Sequence, residues 1–166
     1  MHYIKSTLKK IRFLHFNEMN RDEWVIQSAG KIKSSSKVLD LGAGSCPYRK
    51  HFDHCEYHTQ DFTKLNSDQL RDSGYGQINY VCDASSIPVE NGTFDVVLST
   101  EMLEHVPEPI EVLREISRIL KPGGKLLLTA PLGSGIHQEP HHYYGGYTPY
   151  FFEKNLKEFG FTTVEI

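Results

Sequence analysis

The chain has 166 residues, 39% of them hydrophobic and 23% charged, a composition that fits one compact globular domain and excludes a disordered or fibrous chain. Eighteen Lys and Arg stand against 21 Asp and Glu, and a formal charge of −3 provides no global positive field for nucleic acid. No apolar run reaches the roughly 20 residues of a membrane span and no signal peptide is visible, so a cytoplasmic location is expected.

In chain order, Ile4, Leu8, Ile11 and Leu14 recur at helical spacing among Lys5, Lys9, Lys10 and Arg12. This basic amphipathic segment is expected to dock on its own domain; peripheral contact of residues 1–17 with an anionic membrane is the second reading. A further helix is expected over Arg21 to Ala29, so that residues 1–36 form an N-terminal helical cap and residues 37–166 the main domain. Strands are expected at Lys37–Leu41, Glu56–Asp61, Asn79–Asp83, Phe94–Ser99, Gly124–Ala130 and Phe161–Ile166. A helix is expected to open at Pro47, where a missing N–H costs nothing, while residues 62–77 are polar, glycine-bearing and irregular. The clearest helix carries Ile110, Leu113, Ile116, Ile119 and Leu120 and stops at Lys121-Pro122-Gly123-Gly124. A last helix runs from about Thr148 to Phe159 and ends at Gly160. Strands alternating with helices predict right-handed crossovers and a doubly wound, mainly parallel sheet inside a three-layer α/β/α sandwich.

Three strand ends carry chemistry. Val38-Leu39-Asp40-Leu41 runs straight into Gly42-Ala43-Gly44, a turn whose glycines let a ligand approach the main chain. The dinucleotide fingerprint needs a small residue three positions after the second glycine, and Pro47 stands there, which disfavours a nucleotide-dependent oxidoreductase. Asp61 ends the second strand, where a carboxylate can accept both hydroxyls of a ribose. Asp83 ends the third and suits an adenine amino group, with the Ala84 N–H facing a ring nitrogen. Each acid alone is equally well explained as a cap or turn former; three strand ends each delivering a suitable group to one crevice favour a ligand. Cys46, Cys55 and Cys82, with no CxxC among them, read as reduced thiols.

VLDLGAGS (38–45), Asp61, CDASSIP (82–88), FDVVLSTEMLEHVPEP (94–109) and LKPGGKLLLTAP (120–131) together resemble the class I S-adenosylmethionine-dependent methyltransferases, from about residue 24 to 166. The resemblance implies a Rossmann-like fold and S-adenosylmethionine as cofactor. It places the Gly42, Ala43 and Gly44 loop at the methionine part, Asp61 at the ribose, Asp83 and Ala84 at the adenine, and Ser99 to Met102 beside the methyl group. Asp40 and Phe62 are further cofactor-binding positions on the same ground. The implied activity is in-line methyl transfer to a small-molecule acceptor, at oxygen in preference to nitrogen or carbon, with no nucleic-acid partner. Family sheets finish with an antiparallel strand for which the chain has no sequence after Ile166, so that strand is expected to be missing. The exposed edge then predicts a homodimer, and a non-catalytic or truncated cofactor-binding domain that self-associates is the alternative function.

Proton acceptors are expected at His105, within Glu101-x-x-Glu104-His105, and at His137 and His141 within the Gly-, His- and Tyr-rich stretch 133–147. That stretch is expected to be an acceptor-binding lid. Glu101, Glu104 and His105 on one helical face, with His137, form the set a divalent ion would use; this reading is not favoured, and no metal site is assigned.

Overall fold

The structure, a computed structural model, describes residues 16–162. The basic segment up to residue 15 and residues 163–166 of the expected sixth strand lie outside the described residues. The elements are α1 (Phe16–Gly30), β1 (Lys37–Leu41), β2 (Glu56–Asp61), β3 (Tyr80–Val81), β4 (Phe94–Thr100), α2 (Pro109–Ile119), β5 (Leu120–Thr129) and α3 (Pro149–Glu158). Short 3-10 turns lie at Arg49–His51, Ser67–Gln69 and Leu103–His105. Among the described residues the sheet has five strands in the order β3-β2-β1-β4-β5, every pair parallel. The chain leaves β1 toward β2 on one side and returns to β4 on the other, so strand order reverses at β1, and ligands bind beyond the carboxyl ends at such a point.

Central strands buried on both faces need apolar residues at successive positions, and β1 supplies them. Leu39 and Leu41 point to one core with Phe94, Val97 and the α2 residues Val112, Leu113, Ile116 and Ile119. Val38 points to the other with Val96, Leu98, the α1 residues Val25 and Ala29, and Tyr48 and Phe52. Two cores on opposite faces make the three-layer sandwich. α2 forms where the period required it, with Pro109 in its first turn and Arg118 in its last.

No α-helix follows Pro47. Cys46 takes a left-handed φ of 59°, and successive i to i+3 bonds (Cys46 N–H to Ala43 C=O, Arg49 N–H to Cys46 C=O) give only the 3-10 turn. That turn buries Tyr48 and Phe52 against β1, and α1 covers the rest of this face in place of the expected helix. β3 is shorter than expected, pairing only Tyr80 and Val81 with Gln60 and Asp61, so Cys82 and Asp83 belong to the loop. β5 is longer. It begins at Leu120 directly after α2 and pairs Leu120 with Phe94 before a register shift, so Pro122 to Gly124 lie inside the strand. Among the described residues no helix is long and apolar enough to cross a membrane.

Candidate active site

The crevice is built from three loops. β1 leaves the sheet into Gly42 (φ 73°) and Gly44 (φ 52°), conformations that side-chain-bearing residues rarely adopt. A Cβ on Gly42 would overlap Met102 Cγ, so the first loop and the end of β4 are in close approach. The Gly42 and Ala43 N–H groups both donate to the Gln60 carbonyl at 3.0 Å, and Gly44 N–H donates to Asp61 Oδ2 at 2.9 Å.

Asp61 is buried at the end of β2. Its Oδ1 accepts from Thr63 N–H at 2.9 Å, so backbone donors from Gly44, Phe62 and Thr63 hold the carboxylate, which retains lone-pair capacity for a ligand hydroxyl. Burial pushes this carboxyl up, against the lowering effect of the Thr63, Gly44 and Phe62 N–H bonds. Asp40 is fully buried and accepts from the Tyr57 hydroxyl; burial raises its pKa to about 7. Asp83 is exposed, and its Oδ1 accepts from the Ser85 N–H and hydroxyl, so it shapes a turn while bordering the crevice. Ala84 is buried beside it, and its N–H donates to no described residue.

A cavity of about 380 Å³ joins these groups, lined by Asp40, the Gly42–Gly44 loop, Asp61, Phe62, Asp83 and Ala84. Ser99 departs from its expected place. It is fully buried within β4, its hydroxyl has no hydrogen-bond partner, and the lining there is Thr100, Glu101 and Met102. Glu101, His105, His141 and Tyr143 also line the cavity. The His141 ring meets the Phe62 edge at 5.0 Å, linking the two ends of the cavity.

His105 and His141 thus come together at one wall, and His105 Nδ1 donates to the His141 carbonyl at 2.7 Å. His137 is exposed and does not line the cavity, although its ring lies 4.7 Å from that of His105. Burial pushes the His105 pKa down to about 4 and that of Glu104 up to about 7. The shared helical face expected for Glu101, Glu104 and His105 does not form. Glu101 is left-handed (φ 48°), with its N–H tied to the Thr129 carbonyl, and only Leu103–His105 turn as a 3-10 segment. Glu101 therefore lines the cavity while Glu104 is buried.

Tyrosines fasten the 133–147 stretch in place. Tyr143 and Tyr144 N–H groups donate to the Glu104 carbonyl, the Tyr147 hydroxyl donates to the Leu103 carbonyl at 2.8 Å, and the Tyr144 hydroxyl to the Pro107 carbonyl at 2.9 Å. Across the cavity mouth, Gln138 Nε2 donates to the Gln69 carbonyl and Gln69 Nε2 to the Glu139 carbonyl.

Several lining residues carry no sequence signal. Gln60 looks like any polar strand residue, yet its buried amide accepts from Gly42 N–H and donates to the Cys82 carbonyl at 2.6 Å, bracing the first loop against the third. Arg21 and Arg71 reach the cavity from α1 and the 62–79 loop through one network: Arg21 donates to the Tyr48 hydroxyl, Tyr48 to Asp22, and Arg71 to both Asp22 oxygens.

A glycine loop after the central strand, a carboxylate at the end of the next strand and another in the loop after the third form an arrangement that suits a nucleoside at the carboxyl edge of a doubly wound sheet. Comparison with known proteins makes the class specific: the family described as "Methyltransferase domain" matches residues 39–128. The chain is 28% identical to the sarcosine/dimethylglycine N-methyltransferase of Halorhodospira halochloris, over 91% of this chain and 64% of that protein. It is 33% identical to the ubiquinone/menaquinone biosynthesis C-methyltransferase UbiE of Shewanella sediminis, over 63% of this chain and 46% of that protein. Phosphoethanolamine N-methyltransferase 2 of Haemonchus contortus, solved with S-adenosyl-L-methionine, superposes with a TM-score of 0.60 at 22% identity, over 85% of this chain and 36% of that one. The chain belongs to the class I S-adenosylmethionine-dependent methyltransferases. It spans about half to two-thirds of the length of these curated relatives, whose names specify nitrogen and carbon as acceptor atoms.

Proposed function

We propose that the chain binds S-adenosylmethionine in this crevice and directs methyl transfer to an oxygen of a small-molecule acceptor held under the 133–147 stretch. The observation that carries this reading is the convergence on one cavity of the Gly42–Gly44 loop, an Asp61 with acceptor capacity left, and Asp83 beside an Ala84 N–H that donates to no described residue. These groups suit the cofactor chemically. The loop whose Gly42 position has no room for a Cβ would hold the amino-acid tail, Asp61 and Phe62 the ribose, and Asp83 and Ala84 the adenine.

The cofactor supplies a sulfonium methyl that is already electrophilic. The chain's task is then alignment, which can contribute roughly 7–11 kcal/mol, and removal of the acceptor proton, which adds roughly 10²–10⁴-fold. His141 lines the cavity with neither ring nitrogen bonded to a described residue, and we assign it the acceptor proton. His105 holds the His141 backbone in place, and His137 supports His105 from outside the cavity. A cytoplasmic setting belongs to this reading and accords with three cysteines free of disulfides.

Thermal-shift titration is the first test. S-adenosylmethionine and its demethylated product are expected to raise the melting temperature, and NAD is not. An acceptor screen with labelled methyl donor and mass detection then identifies the substrate. Stabilisation by NAD alone would overturn the reading.

A further inference from the structure

At the cavity wall formed by the Leu103–His105 turn, three side chains converge that the methyl-transfer reading leaves without chemistry. Glu104 is 1% exposed and its Oε2 has no hydrogen-bond partner. A buried carboxylate oxygen without a donor is costly, and native structures supply a proton donor, a water or an ion at such a place. Two imidazoles face it, each with its tautomer set by a carbonyl. His105 Nδ1 donates to the His141 carbonyl at 2.7 Å, and His137 Nδ1 to the Gly135 carbonyl at 2.9 Å. A carbonyl only accepts, so both rings carry their proton on Nδ1, and in the neutral ring Nε2 keeps a free lone pair. Metal-binding histidines are oriented by the same kind of partner.

Among the described residues no hydrogen bond joins these acceptors to one another. His105 Nε2 lies 3.7 Å from Glu104 Oε1, too far for a hydrogen bond. One ligand atom from each of Glu104, His105 and His137 nevertheless lies within 4.8 Å of the others, the only such group found among the described residues. Two imidazole lone pairs beside a carboxylate with an unpaired oxygen form an arrangement that a cation completes.

We infer that Glu104, His105 and His137 bind one divalent cation of the borderline first-row class, Zn²⁺ being the type case. Two imidazoles and one carboxylate match such an ion, whereas Mg²⁺ and Ca²⁺ call for an oxygen shell. Tetrahedral ligands at roughly 2.1 Å from zinc lie about 3.4 Å apart, so the ligands must close by about an ångström. His137, exposed and on a segment with Gly133 and Gly135, where a Cβ would meet nothing, is the one free to do so. The ion would fasten the 133–147 stretch to the turn that forms the acceptor wall. A fourth coordination position is left for water or, if the methyl-transfer reading holds, for an acceptor oxygen.

The test reads metal binding directly. Metal-stripped protein is titrated with Co²⁺ while visible absorption is followed, then with Zn²⁺ in competition and by calorimetry. One equivalent is expected to bind, and His137→Ala and Glu104→Gln are each expected to weaken binding about tenfold or more, while the surface variant His51→Ala does not. Stabilisation by S-adenosylhomocysteine confirms that each variant is folded, and its absence in the wild type would count against the cofactor reading alone. Failure of the wild type to bind one equivalent, or wild-type affinity in either ligand variant, overturns the site.

Discussion

The N–H of Gly44 donates to the Oδ2 of Asp61 at 2.9 Å, so the loop assigned to the methionine part of the cofactor and the carboxylate assigned to its ribose are joined before any ligand arrives. Such preorganisation cuts the ordering cost of binding. Asp61→Ala removes this bond together with a ligand contact. Hydrogen bonds to charged groups contribute about 1.5–3 kcal/mol, so affinity for S-adenosylhomocysteine is expected to fall by roughly 10- to 150-fold in calorimetry. Unchanged affinity would remove the ribose assignment.

Gly42→Ala tests the loop by sterics. The new Cβ overlaps Met102 Cγ and has to sit at φ 73°. Overpacking of this kind costs about 1–3 kcal/mol, read as a lowered denaturation midpoint. Adding Met102→Ala should recover the part due to the clash and leave the part due to the backbone. No recovery in the double variant would mean that the close approach is not the cause.

Asp40 predicts a dependence of stability on pH. Its folded pKa of about 7 lies above the unfolded value of about 3.9. The stabilising contribution is therefore complete below about pH 4 and declines up to about pH 7 as the unfolded chain ionises first; every tenfold difference in proton affinity between the folded and unfolded chain amounts to about 1.4 kcal/mol. Asp40→Asn keeps an acceptor for the Tyr57 hydroxyl and removes the titration. Urea midpoints at pH 4.5 and 7.5 should thus differ less in the variant than in the wild type, and an equal difference would contradict the assignment.

Tyr147→Phe deletes the buried bond to the Leu103 carbonyl, while Tyr144→Phe deletes a more exposed one to Pro107. The first is expected to cost about 1–3 kcal/mol, since it leaves a buried carbonyl short of a donor, and the second well under 1 kcal/mol. Melting temperatures check the order, and equal losses would mean that burial does not separate the two anchors.

His141→Ala is expected to slow turnover roughly 10²–10⁴-fold once the acceptor is identified, with S-adenosylhomocysteine affinity unchanged. A loss confined to cofactor binding would reassign the residue to the Phe62 end of the cavity.

Local signals carried much of this protein. The apolar runs of β1 and β4, the period of α2, the glycines after Leu41 and an acid at the end of β2 are all legible in short windows, because strand and helix periods and glycine's freedom at positive φ act over a few residues. They were enough to predict the parallel sheet and the crevice at its carboxyl edge. What they left open depends on distant partners. The stretch after Pro47 packs Tyr48 and Phe52 into one core with Val25 and Ala29 of α1, far upstream, a partnership no short window shows. Gln60 is a brace only because Gly42 and Cys82 come to lie on either side of it. Ser99 and Thr100 are neighbours in one strand, and it is the packing around β4 that buries the first and puts the second on the cavity. Glu104, His105 and His137 share one locality because tyrosines of the 133–147 stretch bond to carbonyls at Leu103, Glu104 and Pro107. Periodicity states which face of an element is apolar; only the order in which the sheet is wound decides which residues, dozens of positions apart, meet across it.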